Sequence, residues 1–203
     1  MNESSVLYKS ITKFAFGFLI ILISINLYGI DILPDFAGYI LFISAISALS
    51  DKYRKIHLLK PLAIILLVWS VASIILSFVN FPEAAPLINL VTITVNIVQI
   101  YFSFQLLSEI SAMVREYSED EKPAKRIIKL RNVYTVTYTL TIAIVNIPAI
   151  TALNENQIIL WIATALTVIT VVIALIIAFT LFFVRKFFRE EKSIPESTET
   201  EPE

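Results

Sequence analysis

Residues 158–184 read IILWIATALTVITVVIALIIAFTLFFV, a stretch without a single charged side chain. An α-helix needs about 20 apolar residues to cross the hydrocarbon core of a bilayer, and this stretch exceeds that length. The rest of the 203-residue chain has a similar character, because 57 % of its residues are hydrophobic and only 16 % are charged. Soluble domains carry about 25 % charged residues. The sequence therefore predicts an integral membrane protein.

Five further apolar runs have a length suited to a membrane span. We predict an all-α integral membrane protein whose residues 1–188 form a bundle of six transmembrane helices. The predicted spans are 14–30, 31–49, 61–79, 86–114, 133–153 and 158–184. The second span reaches its full length only if Asp31 caps its helix and Pro34 falls in the first turn, where a missing N–H costs little. The first span is predicted to be retained, since no A-x-A cleavage signal follows it.

Lysine and arginine lie on one side of the predicted bundle only. The short gaps after spans one, three and five contain none, so all sixteen lie in the N-terminal segment, the other two gaps and the tail. Basic residues concentrate in cytoplasmic segments. The distribution predicts three helical hairpins with both termini in the cytoplasm. The acidic tail, residues 189–203, is predicted to be disordered.

Four carboxylates lie in the predicted outer gaps. They are Asp31, Asp35, Glu83 and Glu155. Asp31 and Asp35 are four residues apart, so a helix beginning at Asp31 would present both on one face. One interpretation is a helix cap that benefits from the helix dipole. The alternative is a weak outer cation site, because carboxylate oxygens bind Ca²⁺ and Mg²⁺.

The same region carries a resemblance to known proteins. The segment from Asp31 to Leu41, DILPDFAGYIL, resembles one found in small multi-pass membrane proteins of Gram-positive bacteria, with the pattern D-I/L-L-P-D-F-x-G-Y after the first span. Those proteins have no assigned activity. The resemblance implies a multi-pass protein of a bacterial plasma membrane and carries over no functional residue.

A stripe of uncharged polar residues runs along predicted span four. Its members recur at spacings of three and four and therefore share one helical face. They are Asn89, Thr92, Asn96, Gln99 and Ser103. Such a face is costly against lipid and is expected to point inward. It would either line a polar pathway or join helices by hydrogen bonds.

A basic cluster precedes predicted span five. Its members are Lys125, Arg126, Lys129 and Arg131. Basic residues beside a membrane are attracted to anionic lipid. The cluster predicts a lipid contact; the alternative is a topology signal alone.

Several functions lack the residues they need. The chain has no cysteine, one histidine and three glycines, which excludes disulfides, cysteine–metal sites and the glycine-rich nucleotide loops. Its net charge of −1 provides no field for nucleic acid. We expect no cofactor and no resident metal, and enzymatic activity is the least supported reading. The expected function is that of an accessory, sensory or immunity-type interaction protein, with a membrane protein or a second copy as partner. The alternative is a small transporter or channel that uses the polar faces of spans three to five.

Overall fold

A computed structural model describes residues 3–22, 26–27, 30–31, 35–78, 85–118, 120–146 and 157–188. Within these ranges the protein is helical apart from one small ladder. The α-helices are α1 (Glu3–Leu22), α2 (Asp35–Leu49), α3 (Arg54–His57), α4 (Lys60–Ser77), α5 (Ala85–Tyr117), α6 (Lys122–Asn146) and α7 (Gln157–Val184). A 3-10 helix, Arg185–Phe188, continues α7. The ladder pairs β1 (Asn26–Leu27) with β2 (Ile30–Asp31) in antiparallel register.

Four helical segments in the described ranges are long and apolar enough to cross a bilayer. They are Glu3–Leu22, Arg54–Leu76, Leu87–Tyr117 and Gln157–Phe188. The predicted class, an all-helical membrane protein, is thereby confirmed at this level. Of the remaining two predicted spans, α2 has only 15 residues, and α6 begins with a run of basic residues.

Two helices begin earlier than their predicted spans. α1 starts at Glu3 rather than at residue 14, and α6 starts at Lys122 rather than at residue 133. Pro123 suits the first turn of α6, where its missing N–H needs no partner. The difference has a simple cause. Hydropathy marks the part of a helix that contacts lipid, whereas the backbone hydrogen bonds continue into polar turns.

The predicted start of the second span is wrong. Asp31 lies in β2, opposite Asn26, and α2 begins at Asp35. The two carboxylates therefore do not share a helical face. A helix starting at Asp31 would force Leu33, which precedes Pro34, into a conformation that a following proline disfavours. Leu33 and Pro34 themselves lie outside the described residues.

α1 and α2 pack closely through two glycines. A Cβ on Gly38 would lie 2.8 Å from the backbone oxygen of Gly17, and a Cβ on Gly17 would lie 2.4 Å from the ring of Phe42. Phe42 is fully buried and packs against the rings of Phe18 and Phe102, with centroids 5.2 and 5.4 Å away. Small residues that let backbones approach are typical of membrane helix contacts.

The buried core is concentrated in one half of the bundle. We call the end where α1 and α6 begin and where α2, α5 and α7 end the basic end. On α5 the buried residues start at Val95, and on α7 they start at Thr170. The first turns of both helices are largely exposed. Among the described residues, α5 and α7 are therefore buried towards the basic end and exposed in their first turns.

Three basic side chains lie at one level of the bundle, and we call them the basic belt. Lys13 donates to Ser44 (2.8 Å), Arg131 to Ser108 (2.8 Å) and Arg185 to Thr12 (3.4 Å).

The level of the belt can be measured from the basic end. The Tyr117 hydroxyl donates to the Glu3 carboxylate, which places the end of α5 beside the start of α1. Thr12 and Ser108 are each nine residues from that contact, about 14 Å along their helices. The first turns of α1 and α6 and the last turns of α5 thus extend about 14 Å beyond the belt.

Candidate functional site

The inner half of the polar stripe, which is the half nearer the basic end, packs against α6. The Tyr138 hydroxyl donates to the Gln99 side-chain oxygen at 3.2 Å. One helical turn closer to the basic end, Ser103 is only 4 % exposed and interacts with Tyr134, which is also buried. Each of these polar groups therefore has a partner on the neighbouring helix, and this part of the stripe joins α5 to α6.

The outer half of the stripe, which is the half farther from the basic end, has no hydrogen bond to a neighbouring helix among the described residues. The Thr92 hydroxyl donates to the Ile88 carbonyl of its own helix at 2.8 Å, so it needs no partner elsewhere. Asn96 is half-buried and Asn89 is exposed. Within the part of the chain that the structure describes, neither amide makes a hydrogen bond. The predicted stripe thus contains two residues that interact with α6, one threonine that bonds to its own helix, and two asparagines without a hydrogen bond in the described ranges.

The depth of the two amides follows from the basic belt. Asn96 lies twelve residues from Ser108, about 18 Å away from the basic end, and Asn89 lies about 28 Å from Ser108 in the same direction. The hydrocarbon core of a bilayer is about 30 Å thick. If the belt marks one boundary of that core, Asn96 lies within it and Asn89 lies near the opposite boundary.

Of the four predicted outer carboxylates, only Asp35 has a described side chain. It lies within electrostatic range of Tyr39 on its own helix and of Tyr138 on α6. Glu83 and Glu155 lie outside the described residues, and nothing is described of the Asp31 side chain. No group of three acidic or histidine side chains gathers in the described ranges. The predicted cation site therefore stays a prediction.

The predicted basic cluster is divided among three surroundings. Lys125 pairs with Glu121 at 2.6 Å, which lowers the pKa of that carboxyl. Arg131 turns inward, with its guanidinium 4.1 Å from the ring centre of Phe104.

Arg126 and Lys129 complete the cluster, and both are exposed. Of the four residues, only Arg131 turns inward, and the predicted lipid contact of the cluster stays a prediction.

A polar clasp at the basic end is absent from our sequence predictions. Lys52, in the turn after α2, donates to the Glu3 carboxylate and to the Tyr117 hydroxyl, the latter at 3.0 Å. It also lies 3.6 Å from Glu116, which accepts a hydrogen bond from Tyr53 at 3.2 Å. Together these contacts join α1, the α2–α3 turn and α5. We call these five residues the clasp.

The electrostatics of the clasp follow from its ion pairs and burial. Hydrogen bonding to Glu3 raises the pKa of Lys52 to about 12. Partial burial raises the pKa of Tyr53, and the nearby Glu116 carboxylate adds to that effect. Sequence patterns could not reveal the clasp, because its partners are as many as 114 positions apart.

Comparison with known proteins offers no functional analogy. The chain matches no protein-family model, no curated protein and no solved structure. Its function must be argued from the contacts described above.

Proposed function

We propose that this chain is a membrane-embedded interaction protein of the accessory, sensory or immunity type, located in a bacterial plasma membrane. The main support for this proposal is the side chain of Asn96. A polar group left unpaired within the hydrocarbon core costs several kcal/mol. The inner residues of the same stripe, Gln99 and Ser103, avoid this cost through α6. The outer half of α5 lacks such a partner among the described residues, which favours a partner supplied by another molecule.

The partner we propose is a second copy of this chain. An asparagine side chain both donates and accepts hydrogen bonds, so it can pair with its own equivalent across a two-fold axis. Asn89 and Asn96 are seven residues apart, the repeat that keeps a helical face against a neighbouring helix. Two neighbouring residues, Leu90 and Ile97, are large, apolar and exposed. The outer half of α5 therefore offers both polar and apolar contacts to a partner helix.

We also propose that six segments cross the bilayer, with both termini in the cytoplasm. Sixteen basic residues on one side support this topology, as does the basic belt, whose three side chains lie at one level of the bundle. Between Asp35, its first residue, and Ser44, at the level of the basic belt, α2 extends about 14 Å, which is about half the thickness of the hydrocarbon core. Cysteines introduced by Glu83→Cys or Glu155→Cys should label from outside intact cells. Labelling of Lys122→Cys under the same conditions would contradict this orientation.

Disulfide cross-linking tests the proposed dimer. The chain has no native cysteine, so a single introduced thiol reports alone. In native membranes, oxidation should cross-link Asn89→Cys to a dimer and should leave Leu87→Cys monomeric, because the two positions are about 160° apart on the helix. Replacing Asn96 by leucine in the Asn89→Cys chain should reduce the cross-linking severalfold. The control, Thr94→Val, should leave it unchanged, since Thr94 bonds to its own helix.

A small transporter is the second candidate function. One observation favours it: Asp35 lies close to Tyr39 and Tyr138, on the side of α5 that carries Gln99. Ionisable groups within a membrane commonly mark ion or substrate paths. The candidates differ in water access. If Asn96→Cys reacts with a membrane-impermeant thiol reagent and Asn89→Cys does not cross-link, the face lines a wet cavity and transport is favoured. If neither reaction occurs, both proposals fail.

A further inference from the structure

A cavity of about 260 Å³ opens at the basic end, between the first turns of α6 and the last turns of α7. Its two walls differ in character. Arg126 and Lys122 of α6 contribute positive charge, whereas Phe183 of α7 and Phe187 of the 3-10 helix contribute aromatic rings. This lining suits a ligand that is anionic on one side and apolar on the other.

Arg126 is the source of uncompensated charge. In the described ranges it forms no ion pair, whereas its neighbour Lys125 is paired with Glu121. Lys122 is partly neutralised, because Asp120 lies 3.9 Å from its ammonium group and also accepts a hydrogen bond from its backbone N–H at 2.9 Å. Asp120 also lines the cavity. An anion would consequently be held mainly by the Arg126 guanidinium.

Thr180 gives an independent indication of a missing polar partner. It lines the same cavity and is 5 % exposed. Its hydroxyl is buried without a hydrogen-bond partner in the part of the chain that is described. Threonines elsewhere on α7 satisfy their hydroxyls through the preceding turn, as Thr164 and Thr167 do. A buried hydroxyl left unpaired is costly, which favours a polar ligand nearby.

If the basic belt marks one boundary of the hydrocarbon core, the cavity lies at the depth of lipid headgroups. Arg185 belongs to the basic belt, and Phe183 is two residues from it on the hydrocarbon side. Arg126 precedes Arg131, another belt residue, by five positions, or about 8 Å on the water side. The interfacial region of a bilayer occupies about 5–8 Å on each side of its core. The aromatic wall and the basic wall thus match the acyl and phosphate ends of a lipid.

We propose that this cavity binds one anionic phospholipid. Its phosphate pairs with the Arg126 guanidinium, with Lys122 as a weaker second contact, and its acyl chains lie along Phe183, which is exposed at the bundle surface. A guanidinium suits a phosphate because its planar N–H groups can donate two parallel hydrogen bonds. The site is independent of the proposed dimer surface, which lies at the opposite end of α5.

Native mass spectrometry of the full chain tests the proposal, with phosphatidylglycerol and phosphatidylcholine as probes. We expect one phosphatidylglycerol to stay bound preferentially. Arg126→Gln should reduce its retention about fivefold, the effect of one basic residue near anionic lipid. Lys125→Gln, the matched control, should change it less than twofold. Equal retention by Arg126→Gln and the unchanged chain would overturn the proposal, as would an equal loss in Lys125→Gln. If inorganic phosphate displaces the lipid at low millimolar concentration, the site recognises a free anion and the proposal is also overturned.

A second measurement does not depend on a loss of binding. Phe187→Trp places a fluorophore in the cavity wall, and the emission of Trp69 and Trp161 can be subtracted with the unchanged chain. In vesicles of phosphatidylcholine with a small fraction of brominated phosphatidylglycerol, the new tryptophan should be quenched more strongly than by the same fraction of brominated phosphatidylcholine. Equal quenching by the two brominated lipids would show that the cavity does not select the anionic headgroup.

Discussion

Replacing Gly38 by alanine should destabilise the packing of α1 against α2. The new Cβ would lie 2.8 Å from the Gly17 backbone oxygen and 2.6 Å from Cγ1 of Ile21, whereas ordinary contacts begin at 3.4 Å. The backbones would have to separate by about 0.6 Å, since a carbonyl oxygen cannot rotate away as a side chain can. That movement would loosen the contact between Phe42 and its neighbouring rings. Overpacking of this kind typically costs about 1–3 kcal/mol.

Reversible unfolding in detergent, followed by circular dichroism, measures this cost. The protein should unfold at a lower mole fraction of sodium dodecyl sulfate, and the extrapolated free energy of unfolding should fall by about 1–3 kcal/mol. Ala48→Val adds carbon atoms at an exposed position of the same helix and should change the free energy by less than about 0.5 kcal/mol. A Gly38→Ala variant as stable as the control would show that the close approach of α1 and α2 contributes nothing to stability.

Two further predictions concern the basic end. Lys52 should titrate near pH 12, and Glu3→Gln should return its pKa towards the ordinary 10.5. Because the pKa of Lys52 is raised in the folded state, its contribution to the free energy of unfolding should be complete below about pH 10.5 and should be lost as the pH rises through 12. NMR of the isotopically methylated lysines measures the titration. An unchanged Lys52 pKa in Glu3→Gln would refute the assignment. Arg131→Lys should reduce the free energy of unfolding by about 1 kcal/mol, because the planar contact of the guanidinium with the Phe104 ring is lost. Arg115→Lys, at an exposed position, should leave the free energy of unfolding unchanged. Equal stability of the two variants would refute this contribution.

Hydropathy and charge predicted the class of the protein, and the structure confirms it through four helices of membrane length. They could not predict where helices end. Residues 3–13 are polar enough to suggest a terminal segment, yet they are helical because Ser4, Leu7 and Ile11 face the core. A helix that leaves the bilayer and continues in a soluble bundle shows no break in its backbone, and only its exposed face becomes polar.

The candidate site was predictable in part for a related reason. The three- and four-residue spacing of the stripe puts Gln99 and Ser103 on one helical face, and both residues meet α6. It could not show that the contact ends before Asn96, since helix separation depends on residues in all neighbouring helices. The start of α2 was mispredicted because a two-residue ladder leaves almost no periodic signal. The clasp was missed because it depends on tertiary contacts alone.

The clasp holds the bundle together at its basic end. It joins α1, α5 and the α2–α3 turn through hydrogen bonds, and Tyr117 also packs its ring against Phe188 at the end of the chain's last described helix, with centroids 5.3 Å apart. α7 extends about 42 Å from that end. A small rotation of the helices at the clasp would therefore displace their opposite ends by a distance that grows with helix length. A force or ligand acting at the basic end would thus change the spacing of the opposite helix ends without breaking the core between them.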